Sequence, residues 1–452
     1  MYIHERAIDI PIVRGHRNLL AHFERHVKGA SHSEFPIRLA VSATDSTAYR
    51  CEAGFIADLD PRRGEDIPSI FRFRRRSMER TGAFTTVFLV PTGVGSNIGG
   101  HAGDATPAAS LLASVSDTLI THPNVVNASD VIDLPENAFY VEGSIISRFL
   151  LGVIGLQPVR ENRVLVVIDS QHGSQAENAA VNSVNAARST YGLEVPRVVM
   201  LDPPVSVRAE WAESGRATGR VDQMEGLLQT LDEAREEYDA VALASVVGVP
   251  KEYHMQYFRS HGEMVNPWGG AEAIFTHALS TMYNVPTAHS PMLESKEIAD
   301  IDPGVVDPRM AAEAISTGFF MCVLKGLQRS PRIIEIEETL TPPAPGVITA
   351  EDVSLLVIPD KALGLPTLAA LEQDIPVIAV RENTNILSND LQALPWSKGQ
   401  LHIVDNYWEA AGIAAALRAG IDPASVRRPI QLAATEVHPN PVEAQVVGEK
   451  AR

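Results

Sequence analysis

From Arg163 onward the chain alternates short apolar runs with stretches of helical length, and this rhythm limits the fold more than any other feature. "RVLVVID" (163–169) reads as a buried strand, and "SQAENAAVNSVNAARSTYG" (174–192) as a helix closed by Gly192. "PRVVML", the helix "VDQMEGLLQTLDEAREEYD" and "AVALASVVG" continue the pattern. After them come the helix "DPRMAAEAISTGFFMCVLKGLQ", strand "VSLLVIP", helix "LPTLAALEQ" and strand "IPVIAV". β-Branched runs at βαβ spacing fit parallel strands buried on both faces. The expected fold is α/β, a doubly wound parallel (Rossmann-like) sheet with an N-terminal α+β lobe.

In that lobe "HRNLLAHFERHVKG" has helical spacing and "PIRLAVSATDSTAYRCEAGFIADL" alternates like a strand hairpin. "FTTVFLV" (84–90) is a further apolar strand, and "PAASLLASVSDTLI" starts a helix at Pro107. The expected domains are 1–160, with a glycine-rich loop, 161–435, Rossmann-like, and a loose tail at 436–452. "TPPAPG" (341–346) reads as a stiff connection.

Between that strand and helix lies "TGVGSNIGGHAGDATP" (92–107), with five glycines. Glycine is entropically costly in a loop unless the backbone must turn sharply or approach a ligand. Strand–glycine–helix order offers free N–H groups and a positive helix end to an anion. The expected cradle is Gly95, Ser96, Asn97, Gly99 and Gly100, with His101 and Asp104 as chemical groups. The spacing is one residue longer than the dinucleotide fingerprint, and no P-loop lysine follows.

Ligands of open α/β sheets bind beyond the carboxyl ends of the strands. The residues that follow the expected strands are therefore candidates: Asp169 and His172, Asp360, Gly364 and Thr367, and Arg381, Glu382 and Asn383. His122 and Asn124 in "THPNVVNASD" read as a turn or a substrate clamp. His261 and Glu263, ahead of Asn266 and a helix carrying Glu272 and His277, are the expected proton-transfer pair. A metal held by His254, His261, His277, His289 and Glu263 is the alternative, although the paired spacing of a zincin is missing. No G-x-S-x-G elbow supports a serine hydrolase.

A formal charge of -18 excludes a general nucleic-acid binder. The basic run "RFRRRSMER" (72–80) reads as a solvated edge strand and turn. Two cysteines exclude a disulfide framework, and the N-terminal residues lack the apolar core of a signal peptide. No run has the length of a membrane helix. A cytoplasmic protein is expected; metal, cofactor and self-association stay open.

"GGHAGDATPAASLLA" and "GLPTLAALEQDIPVIAVRENTN" resemble segments of the two-lobed glycosyltransferase and sugar-nucleotide epimerase superfamily. That resemblance implies phosphate binding at Gly364 to Thr367 and a pocket lined by Arg381 to Asn383. Over most of its length the chain resembles a family of uncharacterised bacterial proteins common in cyanobacteria, which implies relatives but no mechanism. Three functions are compatible with these residues. The first is an enzyme acting on a small anionic metabolite, such as a sugar nucleotide, by acid–base or group-transfer chemistry. The second is a lyase or isomerase of a carboxylate metabolite. The third is a metabolite-binding protein without catalysis.

Overall fold

The computed structural model describes every residue except 14–17, 32, 66, 128–131, 317, 337–343, 431 and 439–452. Most of the expected tail and part of the expected 341–346 connection lie outside the described residues.

Six parallel strands form one sheet, in the spatial order Leu401–Val404, Val377–Val380, Val353–Pro359, Thr85–Phe88, Thr118–Thr121 and Ala138–Tyr140. The chain enters at the centre, builds outward to Ala138–Tyr140, then returns at residue 353 to build outward the other way. Alternate residues of each strand point to opposite faces, and both faces are covered. Val87, Leu356, Ile358 and Val377 pack beneath the helices Gly143–Leu150 and Leu365–Glu372. Phe88, Leu355, Val357 and Ile378 pack beneath Thr106–Ser114 and Tyr407–Arg418. This two-sided burial is why these strands read as unbroken apolar runs.

The second sheet has ten strands and mixed direction. Its antiparallel part contains the expected hairpin, Phe35–Thr44 against Ala48–Ala57, with Tyr2–Pro11 beside it. Its parallel part contains Val198–Leu201, Val164–Asp169, Ala240–Gly248 and Thr287–Met292. The expected α/β class is therefore observed. The helix Gln175–Tyr191 ends at Gly192, whose φ of 69° is the left-handed cap that glycine supplies cheaply.

Three expectations need correction. The sheets do not divide at residue 160, because the strand at 85–88 pairs with 353–359 and Tyr2–Pro11 pairs with Ala217–Asp222. The helix expected over 307–328 is broken into Pro308–Met310, Ala311–Ile315 and Phe320–Gln328, with a bend of 94°. Residues 72–80 form no strand, because Arg76 turns inward to donate to the carbonyls of Gln373, Val353 and Asp374.

The helix Pro267–Tyr283 is the element that brings the second sheet's chemistry toward the first. It lies so close to the strand Ala217–Asp222 that a Cβ on Gly219 would sit 2.6 Å from Ala271 Cα, and one on Gly270 2.3 Å from the Ala217 carbonyl. Gly219→Val should therefore cost about 1–3 kcal/mol in urea unfolding. Gly412→Ala, in an open helical position with nothing within 4 Å, should instead gain up to about 1 kcal/mol. Equal behaviour of the two variants would refute the close approach.

Candidate functional site

A cavity of about 240 Å³ lies between the carboxyl ends of the parallel strands and the Pro267 helix. Leu89 to Thr92 and Ala362 to Thr367 contribute from the parallel sheet, and Ile37 to Ala40 from the mixed sheet. The strand pair Leu363–Gly364 with Val41 and Ala40 links the two sheets at this point.

The most constrained charge in the cavity is Glu142, which immediately follows Ala138–Tyr140 and Val141 and is 4% exposed. Its Oε2 caps the next helix, accepting from the Ser144 N–H at 2.9 Å, the Ile145 N–H at 3.3 Å and the Ser144 hydroxyl. Its Oε1 lies 2.6 Å from His277 Nδ1, off the ring's N–H axis, and accepts from the Thr276 hydroxyl at 3.5 Å. Burial pushes this carboxyl up, but His277 and the Ser144 donors outweigh it and leave the group at about 2. Glu142 is thus a fixed carboxylate in close contact with His277. The ring's Cε1 and Nε2 pack over Gly143, where a Cβ would come within 3.1 and 3.4 Å.

Arg38 also lines this space. Its side chain is 11% exposed, its Nη1 makes no hydrogen bond among the described residues and lies 3.9 Å from Glu5 Oε1, and Nη2 reaches the Thr92 carbonyl only at 3.4 Å. Burial and the neighbouring Arg216 hold this guanidinium down at about 10, still charged at neutral pH. Arg216 itself is fully enclosed between Glu5 and Glu52.

Of the residues expected from sequence, His122, Asn124, Asn266, Gly364 and Thr367 line the cavity. His122 accepts from the Val90 N–H at 3.1 Å, and burial lowers the imidazole to about 4, so it is neutral. Asn124 donates to the carbonyls of Val90 and Gly99, and Thr367 donates to that of Ala362. Asn266 caps the Pro267 helix and donates to Glu313 Oε1 at 2.7 Å. Glu313 also accepts from the Ala102 N–H and the Tyr257 hydroxyl, and burial raises it to about 7.

Several donors of the glycine loop are spent inside the protein. The N–H groups of Asn97 and Ile98 go to the Thr384 carbonyl and Asn383 Oδ1, and those of Gly99 and His101 to Asp104 Oδ1. Asp104 is the staple of the loop, its carboxyl raised to about 6 by burial. His101 is buried against the Tyr257 hydroxyl at 2.7 Å and lowered to about 4 by burial. Gly95 and Gly99 adopt φ of 59° and 85°, and a Cβ on Gly100 would strike the Ser96 carbonyl at 2.1 Å. The glycines serve the turn itself, and Gly95, Ser96, Asn97, Gly99 and Gly100 do not line the cavity.

The other expected groups also fall outside it. His261 and Glu263 are exposed, although Arg309 ties their loop to the glycine loop by donating to the His261 carbonyl and Asn97 Oδ1. Arg381 pairs with Asp405 at 3.2 Å on the surface, and Glu382 is exposed beside it. Asn383 is fully buried and clamps Ile98 through both its amide atoms. Asp360 accepts from the Lys361 N–H. Asp169 ends its strand in the other sheet, accepts from the Val205 N–H and is raised to about 7 by burial; His172 is exposed nearby. His254 packs on Trp268, and no cluster suited to a metal occurs among the described residues.

Neither Glu142 nor Arg38 stands out in the sequence, where His277 is a candidate metal ligand and Glu272 a residue carried by the same helix. "AFYVEGS" (138–144) carries the available signal, a short apolar strand followed by a carboxylate and glycine at the same edge.

The fold and site define a mixed α/β protein with a cavity between two sheets, lined mainly by apolar groups with a few charged ones. The chain belongs to the family described as "Protein of unknown function (DUF3326)", whose profile matches residues 85–427. A relative from Synechococcus sp. (strain ATCC 27144 / PCC 6301 / SAUG 1402/1), named "Uncharacterized lipoprotein", is 36% identical over 347 residues, covering 76% of this chain and 93% of its own. That name overturns the cytoplasmic expectation. No solved structure matches. Among the described residues no single helix is long and apolar enough to cross a membrane.

Proposed function

We propose that the protein is an enzyme that binds a small carboxylate- or phosphate-bearing metabolite in this cavity and transfers a proton there through His277. The observation that carries the reading is the buried Glu142–His277 pair, 2.6 Å apart on the cavity wall. A carboxylate fixed by four donors sits against an imidazole, the group best suited to proton transfer near neutral pH. Arg38 Nη1, which makes no hydrogen bond among the described residues and meets Glu5 Oε1 only at 3.9 Å, favours an anionic ligand.

The strand order of the parallel sheet supports a doubly wound, Rossmann-like reading. Its direction reverses between Thr85–Phe88 and Val353–Pro359, and ligands of such sheets bind in the crevice beyond that switch point. Leu89 to Thr92 and Ala362 to Leu365, just past those two strands, line the cavity. At about 240 Å³ the cavity favours a small acid over a whole sugar nucleotide.

A thermal-shift panel of short mono- and dicarboxylates, hydroxy acids, phosphate, sugar phosphates and nucleotides tests this. Stabilisation by a small carboxylate or phosphate is expected, since a ligand of the native state raises its melting point. Arg38→Met should abolish that shift, whereas His277→Asn should keep binding and lose turnover. A shift unaffected by Arg38→Met, or produced only by nucleotides, contradicts the reading.

A further inference from the structure

A second carboxylate–imidazole pair faces the same cavity. His289 Nδ1 lies 3.2 Å from Glu272 Oε2, and its Nε2 lies 2.6 Å from the Ser245 hydroxyl. An ionised carboxylate only accepts, so Nδ1 carries the proton and Nε2 accepts from Ser245. The three residues are supplied by the Pro267 helix and the adjacent parallel strands Ala240–Gly248 and Thr287–Met292.

The chain has the components of a serine triad, but its exposure runs the other way. Ser245 is 2% exposed and the His289 side chain is fully buried, whereas the Glu272 side chain is 20% exposed. Glu272 and His289 line the cavity and Ser245 does not. Nucleophilic catalysis needs the hydroxyl at the open end. Here the open end is the carboxylate. Both nitrogens of His289 are engaged, so the imidazole has none left for a substrate.

Glu272 and His277 stand five residues apart on one helix, about 7.5 Å along its axis and about 140° around it, and the cavity borders both. We propose that Glu272 is the second proton-transfer group of this cavity, held by His289 and Ser245 as positioning residues. With His277 it supplies a base and an acid to different atoms of one carboxylate-bearing substrate. This inference rests on the reading of the cavity as an anionic-metabolite site.

Glycidate (oxirane-2-carboxylate) probes such an arrangement. A Glu272 oxygen attacks an epoxide carbon, the ring C–O bond opens, and the resulting alkoxide takes a proton from His277. The products are an ester and a hydroxyl group, which peptide mass spectrometry locates. The expected result is an ester on Glu272, absent in Glu272→Gln and formed about a hundredfold more slowly in His277→Asn. Ser245→Ala and His289→Gln should slow labelling severalfold, and His289→Asn, whose amide N–H stands nearest the position of Nδ1, should lose less than His289→Gln. If His289→Gln fails to fold, Ser245→Ala alone decides. Labelling of Glu142 or Glu313 with Glu272 untouched overturns this inference and leaves the anionic-site reading standing. So does labelling at the wild-type rate in Ser245→Ala, as regards the positioning chain. No label on any cavity residue overturns both.

Discussion

Arg216→Met is expected to lower the unfolding free energy by about 3–5 kcal/mol, among the largest effects of any single substitution in this chain. Arg216 is fully buried, donates from Nε to Glu52 Oε2 at 2.5 Å and from Nη2 to Glu5, and both carboxylates are 5% exposed or less. Removing the guanidinium leaves two buried carboxylates, with Arg38 3.9 Å from Glu5 and the Ser214 hydroxyl on Glu52. The cost should depend on pH in a defined direction. Burial pushes Glu5 up, but Arg216 and Arg38 hold it below the usual carboxylate range. A depressed carboxyl contributes stability that is present above its unfolded pKa and lost as pH falls through the folded one. Without Arg216 that contribution disappears, so the gap between variant and wild type should shrink on acidification. Urea unfolding at pH 7 and pH 4 measures it; a gap that is constant or grows in acid contradicts the account.

Glu142→Leu should cost about 3 kcal/mol at pH 7, and it should also abolish turnover. The folded carboxyl lies at about 2 against an ordinary 4.5, which favours the ionised over the protonated form by about 3 kcal/mol, and losing the carboxylate leaves the donors behind that depression unpaired, a cost of the same order. The sign follows from the depression. The contribution is complete above pH 4.5 or so and drains away as pH falls toward 2. The variant also removes the helix cap at Ser144 and Ile145 and the partner of His277. Glu142→Gln keeps the shape and one acceptor, so it should retain part of the stability while still impairing proton transfer. A Glu142→Leu protein as stable as wild type at pH 7 would falsify the capping and pairing assigned to this residue.

Much of the local structure was legible in the sequence. Val164–Asp169, Gln175–Tyr191 with its Gly192 cap, and the hairpin at 35–57 follow from periodicity and turn chemistry. Gly364 and Thr367, named by the strand-end rule, and His122 and Asn124, named as a turn or clamp, line the cavity. What the sequence hid was pairing at long range. Thr85–Phe88 lies beside Val353–Pro359, and nothing local to either strand announces the other. For the same reason the glycine loop looked vacant. Asp104 lies within five residues of the donors it occupies, but Asn383 is 285 residues away from Ile98. Arg381 and Glu263 had the right chemistry in the wrong place, because polar residues after a strand serve surface pairing as readily as a ligand. Glu142 was overlooked because a carboxylate ahead of Gly-Ser reads as an ordinary helix cap, which it also is.

The central claim is that the ligand sits between Arg38 and His277, inside the cavity. A crystal structure of the full chain soaked in malonate tests it most directly. The account predicts a malonate carboxylate hydrogen-bonded to Arg38 Nη1, with the rest of the molecule directed toward His277 and Glu272. Malonate bound instead along Gly95 to Gly100 or on Arg381, with the cavity holding only water, would contradict it.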